Sequence, residues 1–262
     1  MNIKLPILAF TIVCVFGAVI YAGPEQFSGK EMKQVAPMPP PCPNWTGFYV
    51  GALAGYKFAD TDITLNLSGD WADIPSERDL LKGAGSRDLD DSGFELGGLI
   101  GYNYQVRNWV LGLEASGGYL WLDNSHTVDV SGINDYSVPT SFKTHYLITA
   151  GPRIGYAFCK WLPYLTGGVA IGDIDFRQSF FIPQAPTIGQ FGSTNETQVG
   201  WMVGAGLEYA LTGHWRVRGQ YQYIDLGCVD FDSAYTVAPT FLGNHEACLK
   251  EHNATAAIIY GF

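Results

Sequence analysis

The run Asn253-Ala254-Thr255-Ala256-Ala257-Ile258-Ile259-Tyr260-Gly261-Phe262 alternates in steps of two and finishes on an aromatic ring. Ala254, Ala256, Ile258, Tyr260 and Phe262 share one face, and Thr255, Ala257, Ile259 and Gly261 share the other. That period belongs to a strand, not to a helix with its repeat of about 3.6. The length is that of a tilted strand crossing a bilayer, about 9–11 residues. In lipid every backbone N–H and C=O must find a protein partner, and strands manage this only by closing into a barrel. One short run therefore narrows the possible folds sharply.

Seven earlier segments repeat the pattern. From Thr46 to Ala59, Phe48, Val50, Ala52, Ala54, Tyr56 and Phe58 oppose Tyr49, Gly51, Leu53, Gly55 and Lys57. The others are expected at about Gly93 to Val106, Trp109 to Leu122, Thr144 to Phe158, Leu162 to Ile174, Thr197 to Ala210 and His214 to Ile224. Their connections alternate between very short turns (Arg107-Asn108, Cys159-Lys160-Trp161, Leu211-Thr212-Gly213) and long polar stretches. Outer-membrane barrels show this asymmetry, with short periplasmic turns and long surface loops. The fold expected is all-β: an eight-stranded antiparallel transmembrane β-barrel over residues 45–262, with Trp45, Trp109, Phe158, Trp161, Tyr209, Trp215 and Phe262 in the periplasmic aromatic girdle. Phe58, Phe94, Trp121 and Tyr223 would form the outer girdle. A soluble ligand barrel would carry the opposite polarity, polar outside and apolar within.

The address agrees. Lys4 precedes an apolar stretch from Leu5 to Ile20 and a small-residue cut site at Tyr21-Ala22-Gly23, so residues 1–22 read as a signal peptide. Residues 23–44 read as a periplasmic linker, because Pro37, Pro39, Pro40, Pro41 and Pro43 favour extended polyproline geometry. The net charge of −10 argues against nucleic acid as a partner. Localisation in a cell outer membrane follows, with lipid, lipopolysaccharide and the outer-membrane insertion machinery as expected partners and a surface ligand as a further one.

The opening strand, Trp45-Thr46-Gly47-Phe48-Tyr49-Val50-Gly51 followed by Ala54-Gly55-Tyr56, resembles that of the opacity-type, porin-like outer-membrane β-barrel family. The family includes surface antigens and haemin-binding proteins. Gly97-Gly98-Leu99-Ile100-Gly101-Tyr102, Gly204-Ala205-Gly206-Leu207-Glu208-Tyr209 and the terminal Tyr260-Gly261-Phe262 extend the likeness over most of Trp45 to Phe262. It implies an integral outer-membrane protein and brings no catalytic set with it. An aromatic end such as Ile258, Tyr260 and Phe262 resembles the signal read by the insertion machinery in this class.

The residues with chemical content point inward. Lys57, Arg153, Arg216 and Arg218 face Glu95, Glu114 and Glu208 across an interior narrow enough for side chains to fill, so a lumen charge network is expected to plug it. His126, His145, His214, His245 and His252 fall in no metal or haem spacing and read as solvated loop or strand-end residues. Ser116 and Ser141 could be paired with His145 by arithmetic alone, so no catalytic residues, cofactor or metal are assigned. Loop one, about Asp60 to Ser92, is dense in acids that could share divalent ions with lipid phosphates.

Export leaves four cysteines in an oxidising compartment. Cys228 and Cys248 fall outside the membrane, and Cys42 and Cys159 on the periplasmic side, separated by a hydrocarbon core of about 30 Å. The pairings expected are Cys228–Cys248 and Cys42–Cys159, with free thiols as the alternative. The function expected is structural and interactive, without enzymatic activity; the alternatives are a narrow passive porin and a barrel enzyme acting on lipid.

Overall fold

The computed structural model describes residues 42–132 and 134–262. The expected signal peptide, and the linker up to residue 41, lie outside the described residues. Eight strands form a closed antiparallel ring in sequence order: β1 Gly47–Gly69, β2 Arg87–Val106, β3 Trp109–Ser131, β4 Asp135–Tyr156, β5 Trp161–Ile182, β6 Ala185–Ala210, β7 Trp215–Tyr235 and β8 Ala238–Gly261. β8 pairs with β1 from Gly261 opposite Tyr49 upward, which closes the ring. The short turns stand where the sequence placed them, and Arg107 and Cys159 adopt the left-handed backbone these tight reversals demand (φ 56° and 53°).

The strands run 20–26 residues, about twice what a bilayer requires. The four long surface segments are present, but most of their length continues the barrel as strand. β1 shows how. Phe48, Val50 and Phe58 face outward and are exposed, as lipid-facing positions must be, while Tyr49, Leu53 and Lys57 are buried within. Above Phe58 the same alternation continues with reversed polarity: Asp60, Asp62, Thr64 and Asn66 face out, and Ala59, Thr61, Ile63 and Leu65 face in. Once the strand leaves lipid, the hydrophobic effect favours apolar residues inside and charge outside, as in a soluble barrel. Register shifts at Tyr119/Leu122, Lys143/Leu147 and Asp225/Gly227 cluster near that changeover. At the second, Asp173 Oδ1 accepts the backbone N–H groups of His145 and Tyr146 (2.8 and 2.9 Å) that the bulge releases.

The interior of the upper half is an apolar core of Ile63, Phe142, Leu147, Ile174, Phe176, Ile224, Leu226 and Leu249, among others. Between β1 and β2 a 3₁₀ turn, Asp70–Asp73, and a helix α1, Pro75–Gly85, fold over the mouth. Pro75 suits the first helical position, and α1 turns Leu81 and Ala84 down onto Leu65, Trp71, Val138 and Phe180. At the opposite mouth Trp45 is fully buried against Val110, Ala157, Leu162 and Ala210, which corrects its expected place in the girdle. Its indole N–H donates to the Cys159 carbonyl (3.3 Å) and its backbone N–H to Gln105 Oε1 (2.8 Å). The remaining rings do line that end outside, Trp109 on Tyr156, Trp161 on Tyr209, and Tyr260 on Trp215 and Phe262.

Candidate functional site

Strands β3, β4, β6 and β7 each deliver one charged side chain to a single level inside the barrel. Arg218 and Glu208 are register partners on β7 and β6. The Arg218 guanidinium forks onto Glu114 (Nη1–Oε1 2.7 Å, Nη2–Oε2 2.6 Å) and also reaches Glu208 Oε1 (2.7 Å). Arg153 joins the same two carboxylates, Nη2 to Glu208 Oε1 at 2.6 Å and Nη1 to Glu114 Oε2 at 3.0 Å. Two cations and two anions thus form a closed, neutral set, as removal from water requires. Tyr49 donates its hydroxyl to Glu114 Oε2 (2.6 Å), and Arg153 lies over the Tyr164 ring (4.2 Å). These rings fit because Gly101 and Gly206 on neighbouring strands leave room: a Cβ at either would collide with the tyrosine ring end.

A second cluster stands apart from the first. Lys57 Nζ contacts Glu251 Oε2 at 3.0 Å and Glu95 Oε2 at 4.0 Å, and Asn253 Nδ2 donates to Glu95 at 2.7 Å. Glu251 was missed from the sequence, because the eighth run was started only at Asn253. Reading the alternation further back would have turned it inward. Arg216 belongs to neither cluster; its guanidinium lies 4.7 Å over the Trp45 ring at the base. The cavity left between Glu95, Glu114, Arg218 and Asn253 is about 10 Å³, room for about one water.

Above the apolar core lies a third polar group that sequence reasoning also missed. His245, read as a solvated loop residue, is fully buried. Its Nδ1 meets Gln178 Oε1 (2.8 Å) and its Nε2 meets Ser233 Oγ (2.6 Å). Gln178 spends its NH₂ on the Gly85 carbonyl and Thr140, so its oxygen faces the ring and the proton belongs on Nδ1. The Ser233 hydroxyl then donates to Nε2. Burial holds the imidazole neutral, with its pKa lowered to about 4.

Four of the other candidates have partners, while His126 is exposed on β3. His145 pairs with Asp173 (2.7 Å), Ser116 with Thr149 (2.8 Å), His214 Nδ1 with the Gly261 carbonyl oxygen (2.8 Å) and His252 with the Tyr221 hydroxyl (2.5 Å). Cys228 and Cys248 stand opposite each other on β7 and β8 and are joined, so their grouping with Glu246 offers no thiolate for a metal. Cys42 is joined to Cys159 with Cα atoms 4.6 Å apart, tying residue 42 to the turn between β4 and β5. Ile258 and Tyr260 face outward on β8 at the short-turn end, and Phe262, directly after the strand, donates its backbone N–H to the Phe48 carbonyl (2.9 Å).

A closed ring with an apolar outer belt, aromatic girdles and a packed polar interior defines an outer-membrane β-barrel. The chain belongs to the outer membrane protein beta-barrel domain family, which matches residues 40–262. It is 30% identical over 200 residues to the 31 kDa outer-membrane immunogenic protein of Brucella melitensis, covering 73% of this chain and 77% of that one. To the 25 kDa outer-membrane immunogenic protein of Brucella abortus it is 25% identical over 231 residues, 86% of this chain and 89% of that one. Among solved structures, the outer membrane protein OprG from Pseudomonas aeruginosa aligns with a TM-score of 0.49 at 17% identity, over 84% of this chain and 98% of that one.

Proposed function

We propose that this outer-membrane protein is a non-conducting, non-catalytic barrel with a structural and surface-interaction role. The observation that carries the reading is a lumen filled at every level: Trp45 at the base, the Glu114–Arg153–Glu208–Arg218 set, the Lys57 cluster, the apolar core and the α1 cap. An ion entering it would have to break charge-assisted bonds worth more than ordinary hydrogen bonds and then cross a dry apolar layer. The names of the Brucella relatives, outer-membrane immunogenic proteins, support a part exposed at the cell surface.

The outer face of the upper barrel supports contact with lipopolysaccharide. Asp60 stands opposite Asp90, and Asp62 opposite Asp88, on the exposed face just above Phe58 and Phe94. Like charges directly opposite repel; Lys250 Nζ already meets Asp62 Oδ2 at 3.3 Å, and a divalent cation shared with lipid phosphates would offset the repulsion that remains. Planar-bilayer recording on the refolded barrel tests the main reading. Wild-type protein is expected to give no steady conductance; a stable large pore would refute the closed lumen and favour a passive porin.

A further inference from the structure

At the outer tip, Trp71, Ile74, Tyr136, Tyr235, Ala238 and Phe241 line an open pocket of about 180 Å³. Three of its rings meet at steep angles: Trp71 and Phe241 at 84° with centroids 4.9 Å apart, Trp71 and Tyr235 at 77° and 6.1 Å, Tyr235 and Phe241 at 56° and 6.3 Å. The volume is below the range of about 300–1,000 Å³ that holds drug-sized ligands, so it takes a group of a few heavy atoms. Acids adjoin the lining in sequence, and Arg78, whose backbone N–H reaches the Ile74 carbonyl, is itself paired with Asp79 (2.9 Å). Trp71, Ile74 and Tyr136 each directly follow an exposed aspartate, Asp70, Asp73 and Asp135, and no residue next in sequence to a lining residue is basic. Behind the pocket the buried Glu77 carboxylate faces the Tyr136 hydroxyl.

Aromatic faces carry negative electrostatic potential and attract cations that shed water readily, and acids around them add to that field. A purely apolar guest would gain nothing from the three aspartates, and an anion would be repelled. We propose that the pocket binds a quaternary ammonium group, whether of a free solute such as choline or of a phosphocholine headgroup. The inference deepens the surface role proposed above and rests on it only for the side from which the ligand arrives. Binding to purified protein is independent of conductance, so either reading can fail alone.

The test is calorimetric titration of the full chain, refolded in a glucoside detergent free of choline, with choline, glycerophosphocholine and the uncharged isostere 3,3-dimethylbutan-1-ol. Saturable one-to-one binding of a trimethylammonium compound is expected, with the isostere at least tenfold weaker. Tighter binding of glycerophosphocholine than of choline would identify the headgroup as the source; the reverse would identify the free solute. Phe241→Leu should weaken cation binding about two- to fivefold, the size of a cation–π contact in an open site, and Tyr235→Phe should keep it. Should Phe241→Leu fail to fold, the exposed changes Asp73→Asn and Asp135→Asn together should still weaken the cation several-fold and leave the isostere unchanged. Absence of saturable binding, equal binding of the isostere, or wild-type affinity in the folded Phe241→Leu protein or the double aspartate variant would overturn the proposal.

Discussion

Arg218 shows at the scale of one residue how the interior is held. Its guanidinium serves both Glu114 and Glu208, so Arg218→Ala would leave two buried carboxylates sharing Arg153 alone. Breaking a buried ion pair from one side costs about 3–5 kcal/mol, and a loss of that size is expected in urea unfolding of the lipid-inserted protein. A loss under about 1 kcal/mol would mean the charges are individually dispensable, as exposed pairs often are. His245 makes a pH-dependent counterpart in the upper barrel. It is packed by Gln178, Ser233 and the stacked Phe231 ring (4.6 Å), and the Asp232 charge opposes the lowering caused by burial without overcoming it. The unfolded chain takes up a proton near pH 6.5, whereas the folded ring does so only near 4, so the unfolded state binds more protons in between. Stability is therefore full above about pH 6.5 and falls as pH drops towards 4, by about 3 kcal/mol. Thermal melting of wild type against His245→Gln checks this: the wild type should lose more over that window, and parallel curves would exclude His245 as the cause.

Each strand, as an element, works in two solvents. β1 buries Lys57 below the changeover and Ile63 and Leu65 above it, keeping one alternation while its outward face passes from Phe58 to Asp60 and Asp62. Cross-strand pairing is continuous through this reversal, with Phe58 opposite His252 and Asp62 opposite Cys248 on β8. The Cys228–Cys248 link joins two strands already paired along their upper length, so it braces a hairpin that hydrogen bonds also hold. β8 has a second expected task. Phe262 is 71% exposed beside Tyr260, at the lipid-facing rim where an insertion machinery would meet it. Deleting Phe262 is expected to reduce folded, heat-modifiable protein in outer-membrane fractions several-fold, with little change in refolded stability, because the ring buries so little. Unchanged membrane yield would argue against Ile258, Tyr260 and Phe262 as an assembly signal.

For the whole molecule, the consequence of strands twice the membrane thickness is a rigid outer half. Lys143, Arg177 and Lys250 lie within β4, β5 and β8, where the backbone is paired on the sheet, whereas Arg78 and Lys82 lie on α1 above the mouth. Proteases need a locally opened segment, and a paired strand opens far less often than a short surface helix. Trypsin acting on the folded protein is therefore expected to cut after Arg78 or Lys82 and to spare Lys143, Arg177 and Lys250, as read by mass spectrometry of the fragments. Fast cleavage after Lys143 or Lys250 would show the upper hairpins behaving as loops.

Much of the lower barrel was legible in the residues themselves. The period-two runs, their count, the turns at Arg107-Asn108 and Cys159-Lys160-Trp161, and the end of the barrel at which each cysteine lies all follow from local backbone geometry and the cost of polar groups in lipid. The upper barrel was not, because Asp60, Asp62 and their neighbours mark a solvated segment equally well whether it is a loop or the outer face of a strand. Partner choice was not legible either. Glu114 and Arg218 are 104 residues apart, and only closure of the ring brings β3, β4, β6 and β7 to one level. Trp45 has the chemistry of an interfacial ring, yet the Cys42–Cys159 tether and the open barrel base draw it inside. Residue chemistry and period determined which side of each strand meets lipid; which side chains meet one another depended on the register and diameter of the closed sheet, quantities to which distant strands contribute together.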